Sequence, residues 1–350
     1  MEQSCPYVIN FGRIPTEYIE RTAITEQIVG AFQADVPQED CFVLTGLRGS
    51  GKTVLFSRIL NIVRQDKDFI VINLNITMDL LQELVAKLYD TSGFMNKFIT
   101  TNLNLSKFGI GINIDTLPPA ASLESSLEKI LKEMKRKGKK LLVGIDEVAP
   151  TDSMKTFAHT FQSMIQQGLP IYLLMDGLYQ NVSDLSNDNK STFLKRAKKV
   201  PVERLNFTSM RDNYKSILKI DDKQAEEMAA ITRGYAVAYQ ALGRYAWFEK
   251  DHKLTNHVFS QFDDVLKEYV YEQIWTELTE NERYYLSFLT KKPSMDVSEL
   301  LELAGKKKTD FSRYRASLIA KGIIKDERGK VILMLPRFEN FLDLKVKYDW

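Results

Sequence analysis

Residues 46–53 read Gly-Leu-Arg-Gly-Ser-Gly-Lys-Thr and stand between CFVLT (41–45), an apolar run of strand character, and VLFSRIL (54–60), whose apolar residues recur at helical spacing. A Gly-x-x-x-x-Gly-Lys-Thr segment in that setting requires a strand that turns tightly and runs straight into a helix. The glycines let backbone N–H groups converge on an anion where side chains would collide with it, and the helix N-terminus adds its positive end. Gly46, Leu47, Arg48, Gly49, Ser50, Gly51, Lys52, Thr53 and Val54 are therefore the candidate cradle for nucleotide phosphates. Lys52 is expected to reach the β/γ-phosphates, and Thr53 to offer its hydroxyl to Mg²⁺. The competing reading, a Gly-rich turn that binds nothing, is disfavoured by a flanking strand and helix of the right types.

A phosphate cradle becomes a hydrolytic site when a second strand delivers acids to the same phosphates. Residues 139–147, KKLLVGIDE, have that form: Leu141–Ile145 is a buried parallel strand by composition, and Asp146 and Glu147 follow at its carboxyl end. Asp146 is the expected Mg²⁺ holder and Glu147 the residue that polarises the attacking water. The bland alternative is a solvated Asp-Glu pair at a strand end.

Composition bounds the remaining choices. With 350 residues, 44% hydrophobic and 27% charged, the chain has the makings of two or three cores and lies outside disordered composition. No apolar run approaches the ~20 residues of a membrane span, and MEQSCPYVIN lacks the pattern of a secretory signal, so a cytoplasmic location without membrane association is expected. Cys5 and Cys41 are too isolated for a disulfide framework, and His159, His252 and His257 have no metal-binding spacing. A net charge of +2 confines any nucleic-acid affinity to local patches.

Strand-like and helix-like segments alternate through the first two-thirds of the chain. Helical patterns are expected over 21–34, 79–89, 123–137 and 154–167, and further strands over 69–76, 170–176 and 200–207, with a Gly-containing hairpin at 105–114. The last third is almost wholly helical in pattern. Tyr235, Tyr239, Ala241, Leu242, Tyr245 and Trp247 read as a packing face.

These features together resemble the AAA+ ATPases, and among them the ATPases related to replication-origin initiators and the STAND signalling ATPases. The resemblance runs from Gly12 to about Leu344, carried by FGRIP (11–15), IERTAITEQI (19–28), GLRGSGKT, VGIDE, LPIYLLMDGL, TRGYAVAYQALGRYAW (232–247) and LTENERYYLSFL through IAKGII. It implies an α/β fold, an AAA+ P-loop parallel sheet over 1–207, then a helical lid over 208–272 and a winged helix-turn-helix domain over 273–350. It implies ATP, Mg²⁺ and Mg-dependent hydrolysis. By position, Arg21 falls at the family's Gly-Arg-Glu box, although Glu20 and Thr22 replace its glycine and acid. Asp176 falls where a polar residue senses the γ-phosphate. Arg196 falls where an arginine finger acts on a neighbouring subunit, which would make the protein a homo-oligomer; the alternative is one cation of a solvated run with Lys195, Lys198 and Lys199. At 233–237, Arg-Gly-Tyr-Ala-Val has neither the STAND Gly-x-Pro nor the initiators' second sensor arginine, leaving Arg233 and Arg244 as candidate substitutes.

Towards the C-terminus, Thr279 and Glu282 form a capping-box pattern at the start of a helix over 278–290. Helices over Val297–Ala304 and Thr309–Lys321 and a hairpin turned at Glu327-Arg328-Gly329 complete a winged-helix order. Lys306, Lys307, Lys308, Arg313, Arg315 and Lys321 face a single acid, Asp310, which makes double-stranded DNA the candidate partner. Two functions stand open: an ATP-hydrolysing AAA+ protein whose nucleotide state controls assembly or DNA association, and a STAND-like switch whose winged helix contacts protein.

Overall fold

The computed structural model describes residues 4–9, 15–91, 120–187 and 194–348. The hairpin expected at 105–114 lies outside the described residues. The chain forms two compact units, one of Thr22–Thr45 with Leu55–Pro201 and one of Met1–Arg21, Gly46–Val54 and Val202–Trp350.

The first unit is built on alternating elements: α1 (Thr22–Gln33), β1 (Cys41–Thr45), α2 (Lys52–Arg64), β2 (Phe69–Leu74), α3 (Leu80–Asp90), α4 (Ala120–Arg136), β3 (Lys140–Ile145), α5 (Asp152–Gln166), β4 (Ile171–Gly177), α6 (Tyr179–Asn187) and β5 (Lys198–Pro201). All strand pairings are parallel, in the order β2-β3-β4-β1-β5. The three central strands are buried along nearly their whole length, which is why they read as continuous apolar runs rather than alternating ones. On one face Val43, Val143 and Leu173 pack with Leu84, Leu131 and Phe157. On the other, α2 lies so close that a Cβ at Gly144 would sit 2.7 Å from Leu60 and 2.9 Å from Phe56, so any larger residue there would have to push those side chains aside. The last strand was expected over 200–207. It starts two residues earlier and stops at Pro201, because proline has no N–H to extend a ladder and is tolerated on this edge strand.

The second unit contains α7 (Phe207–Leu218), α8 (Asp222–Thr232), α9 (Ala236–Phe248), α10 (Asn256–Leu266), α11 (Glu272–Glu277), α12 (Glu280–Ser287), β6 (Ser294–Asp296), α13 (Val297–Ala304), α14 (Lys308–Ala320), β7 (Ile324–Glu327), β8 (Lys330–Leu333) and α15 (Phe338–Tyr348). One continuous core joins them, from Tyr7, Tyr214 and Tyr239 to Phe311, Phe338 and Leu342. Tyr239, Ala241 and Leu242 are buried in it, as their spacing suggested. Both halves of the Thr279–Glu282 capping box form. The hairpin turns through Arg328 (φ 53°) and Gly329 (φ 80°), a left-handed pair suited to a tight two-residue turn. β6 adds a strand to it, giving the order β6-β8-β7. α14 starts at Lys308, one residue before the expected Thr309, with the Asp310 carboxylate accepting from the Lys307 N–H at 3.3 Å. No helix among the described residues is long and apolar enough to cross a membrane.

Candidate nucleotide site

The glycine-rich loop links Thr45, the end of β1, to Lys52, the first residue of α2. Gly49 (φ 72°) and Gly51 (φ 88°) occupy conformations that side-chain-bearing residues resist, and a Cβ at Gly49 would stand 2.8 Å from the Tyr235 hydroxyl oxygen. Every carbonyl from Gly46 to Ser50 accepts a hydrogen bond. The Lys52 ammonium donates to Gly46 O at 3.1 Å and Leu47 O at 2.9 Å. Ser50 N–H closes a turn on Leu47 O at 3.2 Å. The Tyr235 hydroxyl donates to Arg48 O, the Val237 N–H to Gly49 O at 3.0 Å, and Arg21 Nη2 to Ser50 O at 2.7 Å. A loop whose carbonyls are all engaged in this way is suited to present N–H groups to an anion. The Ser50 hydroxyl, buried beside Gly46, has no hydrogen-bond partner among the described residues.

The residues around the loop are themselves fixed. Arg21 also donates to Glu203 O at 3.2–3.3 Å, so one guanidinium ties the loop to the segment after β5. Burial lowers its pKa, partly offset by the neighbouring Tyr18. Burial pushes the Tyr235 phenol far above its ordinary value, so it remains a hydrogen donor. Arg48 pairs with Glu277, the last residue of α11, at 2.9 Å. Leu47 packs on the turn after α14, where a Cβ at Gly322 would meet it at 3.2 Å. Arg21 was expected near the nucleotide; the hydroxyl of Tyr235 and the N–H of Val237 were not. The signal for them was the Arg233-Gly234 pair, both left-handed (φ 49° and 74°), which ends α8 and aims Tyr235.

In the sheet unit, the register sets Thr45 opposite Gly177 and Ile145 opposite Met175, so the carboxyl ends of β1, β4 and β3 lie side by side. The structure brings Asp146, Glu147 and Asp176 together there. Glu147 is exposed and has φ 54°, a left-handed conformation that an acidic residue holds only when its surroundings enforce it. Asp176 enforces it from both ends: its carboxylate accepts from Glu147 N–H at 3.4 Å and its carbonyl from Val148 N–H at 2.8 Å. Asp176 itself is fully buried.

Arg196 is exposed in the turn before β5, with Lys195, Lys198 and Lys199 exposed around it. Neither candidate sensor arginine is directed at the loop. Arg233 donates to the carbonyls of Leu333 at 3.0 Å and Leu335 at 2.8 Å and lies 3.7 Å from Glu339. Arg244 lies over the Phe248 ring, 5.4 Å from its centre. The basic face is thinner than its sequence suggested. Arg315 is paired with Asp326, and Lys321 lies 2.8 Å from Glu282, whose side chain is only 2% exposed. Lys306, Lys307, Lys308 and Arg313 remain exposed, and the hairpin adds exposed Arg328 and Lys330.

Among the described residues no cluster of three or more His, Cys, Asp or Glu side chains is arranged to hold a metal. Mg²⁺ in phosphate sites needs no such cage, since it is held by one or two protein oxygens together with phosphate and water.

A sequence profile for a domain of unknown function (DUF8462) matches residues 268–342. No curated protein matches the chain in sequence. Among solved structures, the Walker-type ATPase PABY2304 of Pyrococcus abyssi is similar over 93% of this chain and 96% of its own, with a TM-score of 0.63 at 16% identity. Cdc6p from Pyrobaculum aerophilum aligns over 97% of both chains (TM-score 0.49, 15% identity). The ORC1 protein of Aeropyrum pernix, solved in complex with DNA, aligns over 97% of this chain and 95% of its own (TM-score 0.49, 15% identity). Together with the parallel five-stranded sheet, the first likeness shows the fold: an α/β P-loop fold of the kind seen in the Walker-type ATPase PABY2304.

Proposed function

We propose that this chain binds and hydrolyses ATP, and that its nucleotide state controls assembly or DNA association through a C-terminal winged helix over 273–350, joined to an ATPase core over 1–207 by a helical lid over 208–272. The observation that carries the reading is the loop 46–51, with two left-handed glycines and carbonyls engaged from Gly46 to Ser50. Gly46 to Val54 would cradle the phosphates, with Lys52 supplying the ammonium and Thr53 and Asp146 the Mg²⁺ oxygens. Bound Mg²⁺ would neutralise charge on the phosphates. Glu147 would take the role of polarising water, with Asp176 holding its backbone in place. Arg196 would stabilise phosphoryl charge on a neighbouring subunit of a homo-oligomer. We place the protein in the cytoplasm.

Duplex DNA is the preferred partner because Lys306, Lys307, Lys308 and Arg313 are exposed on and just before one helix, beside a hairpin bearing Arg328 and Lys330. The STAND-like alternative, in which this segment contacts protein, draws on Arg315 and Lys321 being spent on Asp326 and Glu282. A gel-shift titration of duplex DNA with and without ATP across salt concentrations separates the two. ATP-dependent, salt-sensitive binding supports the first reading, and no binding at low salt overturns it.

A further inference from the structure

We propose that Tyr235 is a positioning residue for the phosphate loop, and that the lid senses nucleotide through the loop's backbone instead of through a cation on the phosphates. The sensing half rests on the ATPase reading above. Arg233 is committed to the carbonyls of Leu333 and Leu335, and Arg244 to the Phe248 ring. The lid reaches the loop at two other points, both at the start of α9: the Tyr235 hydroxyl on Arg48 O and the Val237 N–H on Gly49 O.

Peptide geometry gives these two bonds their effect. In a planar trans peptide the C=O of one residue and the N–H of the next point in opposite directions. Holding Arg48 O from behind therefore aims the Gly49 N–H forward, just as Arg21 on Ser50 O aims the Gly51 N–H. Gly49, with no Cβ and φ 72°, is otherwise free to let that peptide rotate. The phenol is held at the right height by a rigid turn. Leu205 N–H bonds Gly234 O at 2.8 Å, and a Cβ at Gly234 would collide with Arg204 Cβ at 2.8 Å. A phosphate that engages the Gly49 N–H thus tightens the same peptide that Tyr235 grips, and the lid registers its arrival.

The test uses the full chain and two matched variants. Tyr235→Phe removes only the hydroxyl on the loop. Tyr214→Phe removes a comparable buried hydroxyl, bonded to Tyr239 O within the same helices and without contact to the loop. In nucleotide-free protein, amide exchange over residues 46–54 should speed up in Tyr235→Phe and not in Tyr214→Phe. ADP release should accelerate roughly fivefold in Tyr235→Phe alone, the size of one net hydrogen bond. Unchanged exchange in Tyr235→Phe, or equal acceleration in both variants, overturns the positioning role. Altered exchange with wild-type ADP release overturns the sensing role. Wild-type protein that binds no nucleotide, with exchange responding as described, overturns the ATPase reading and the sensing role while the positioning role stands.

Discussion

The carboxylate of Asp176, near the end of β4, accepts a hydrogen bond from the backbone N–H of Glu147, the second residue after β3. The aspartate that the sequence points towards phosphate thus also braces the backbone of the neighbouring acid. Asp176→Ala should reduce ATP turnover at least tenfold, since a displaced general base forfeits part of its ~10²–10⁴-fold contribution. Nucleotide affinity should stay within about twofold, because positioning a base contributes to the transition state more than to ground-state binding. Single-turnover rates beside equilibrium nucleotide titration check this, with thermal melting to verify the fold.

The loop and the acid should separate binding from chemistry. Lys52→Ala should abolish tight ATP binding, whereas Glu147→Gln should bind ATP normally and fail to turn it over. Equal loss of binding in both would refute the division. Arg196→Ala should bind ATP yet lose hydrolysis, and mixing it with Lys52→Ala protein should restore part of the activity if the finger acts between subunits. Hydrolysis rates measured against protein concentration and mixing ratio decide this.

Charge reversal on the basic face should depend on which cation is chosen. Lys307→Glu with Arg313→Glu should weaken duplex binding and lower the log–log salt slope by about 0.9 for each phosphate that the protein ceases to neutralise. Lys321→Ala should instead leave the slope alone and cost about 1–3 kcal/mol of stability, by stripping a partner from buried Glu282. Salt-dependent binding curves and urea melts distinguish the two effects.

Glu282 also predicts a pH dependence. Burial tends to raise its pKa, but Lys321, Ser317 and the Thr279 N–H outweigh burial and hold it below the ordinary value of 4.5. Its folded pKa is depressed, so its contribution is fully present above the unfolded value and is lost as pH falls through the folded one. Stability of the wild-type protein should therefore fall as pH drops below about 4.5. Glu282→Gln should be less stable at neutral pH and show a shallower fall in that window, measured by chemical denaturation at successive pH values.

The loop was legible in sequence because phosphate contact needs glycine at fixed spacing, and the capping box because Thr279 and Glu282 act within one helical turn. Long-range partnerships were not. Tyr235 sits at the helical spacing of a packing face, and nothing local indicates that its hydroxyl meets a carbonyl in a loop nearly two hundred residues earlier. The role of Asp176 depends on β4 lying between β1 and β3, a property of the sheet order and not of the strand. Arg315 and Lys321 looked like DNA contacts because their acids, Asp326 and Glu282, come from other elements.

β5 carries a consequence for self-association. It is the outer strand beside β1, with Lys198 and Lys199 exposed and Pro201 at its end. Like charges and a missing donor disfavour docking of a second copy's strand there. Edge-to-edge pairing is discouraged on this side of the sheet, and a contact between copies along β5 would have to be made by side chains instead of a shared ladder.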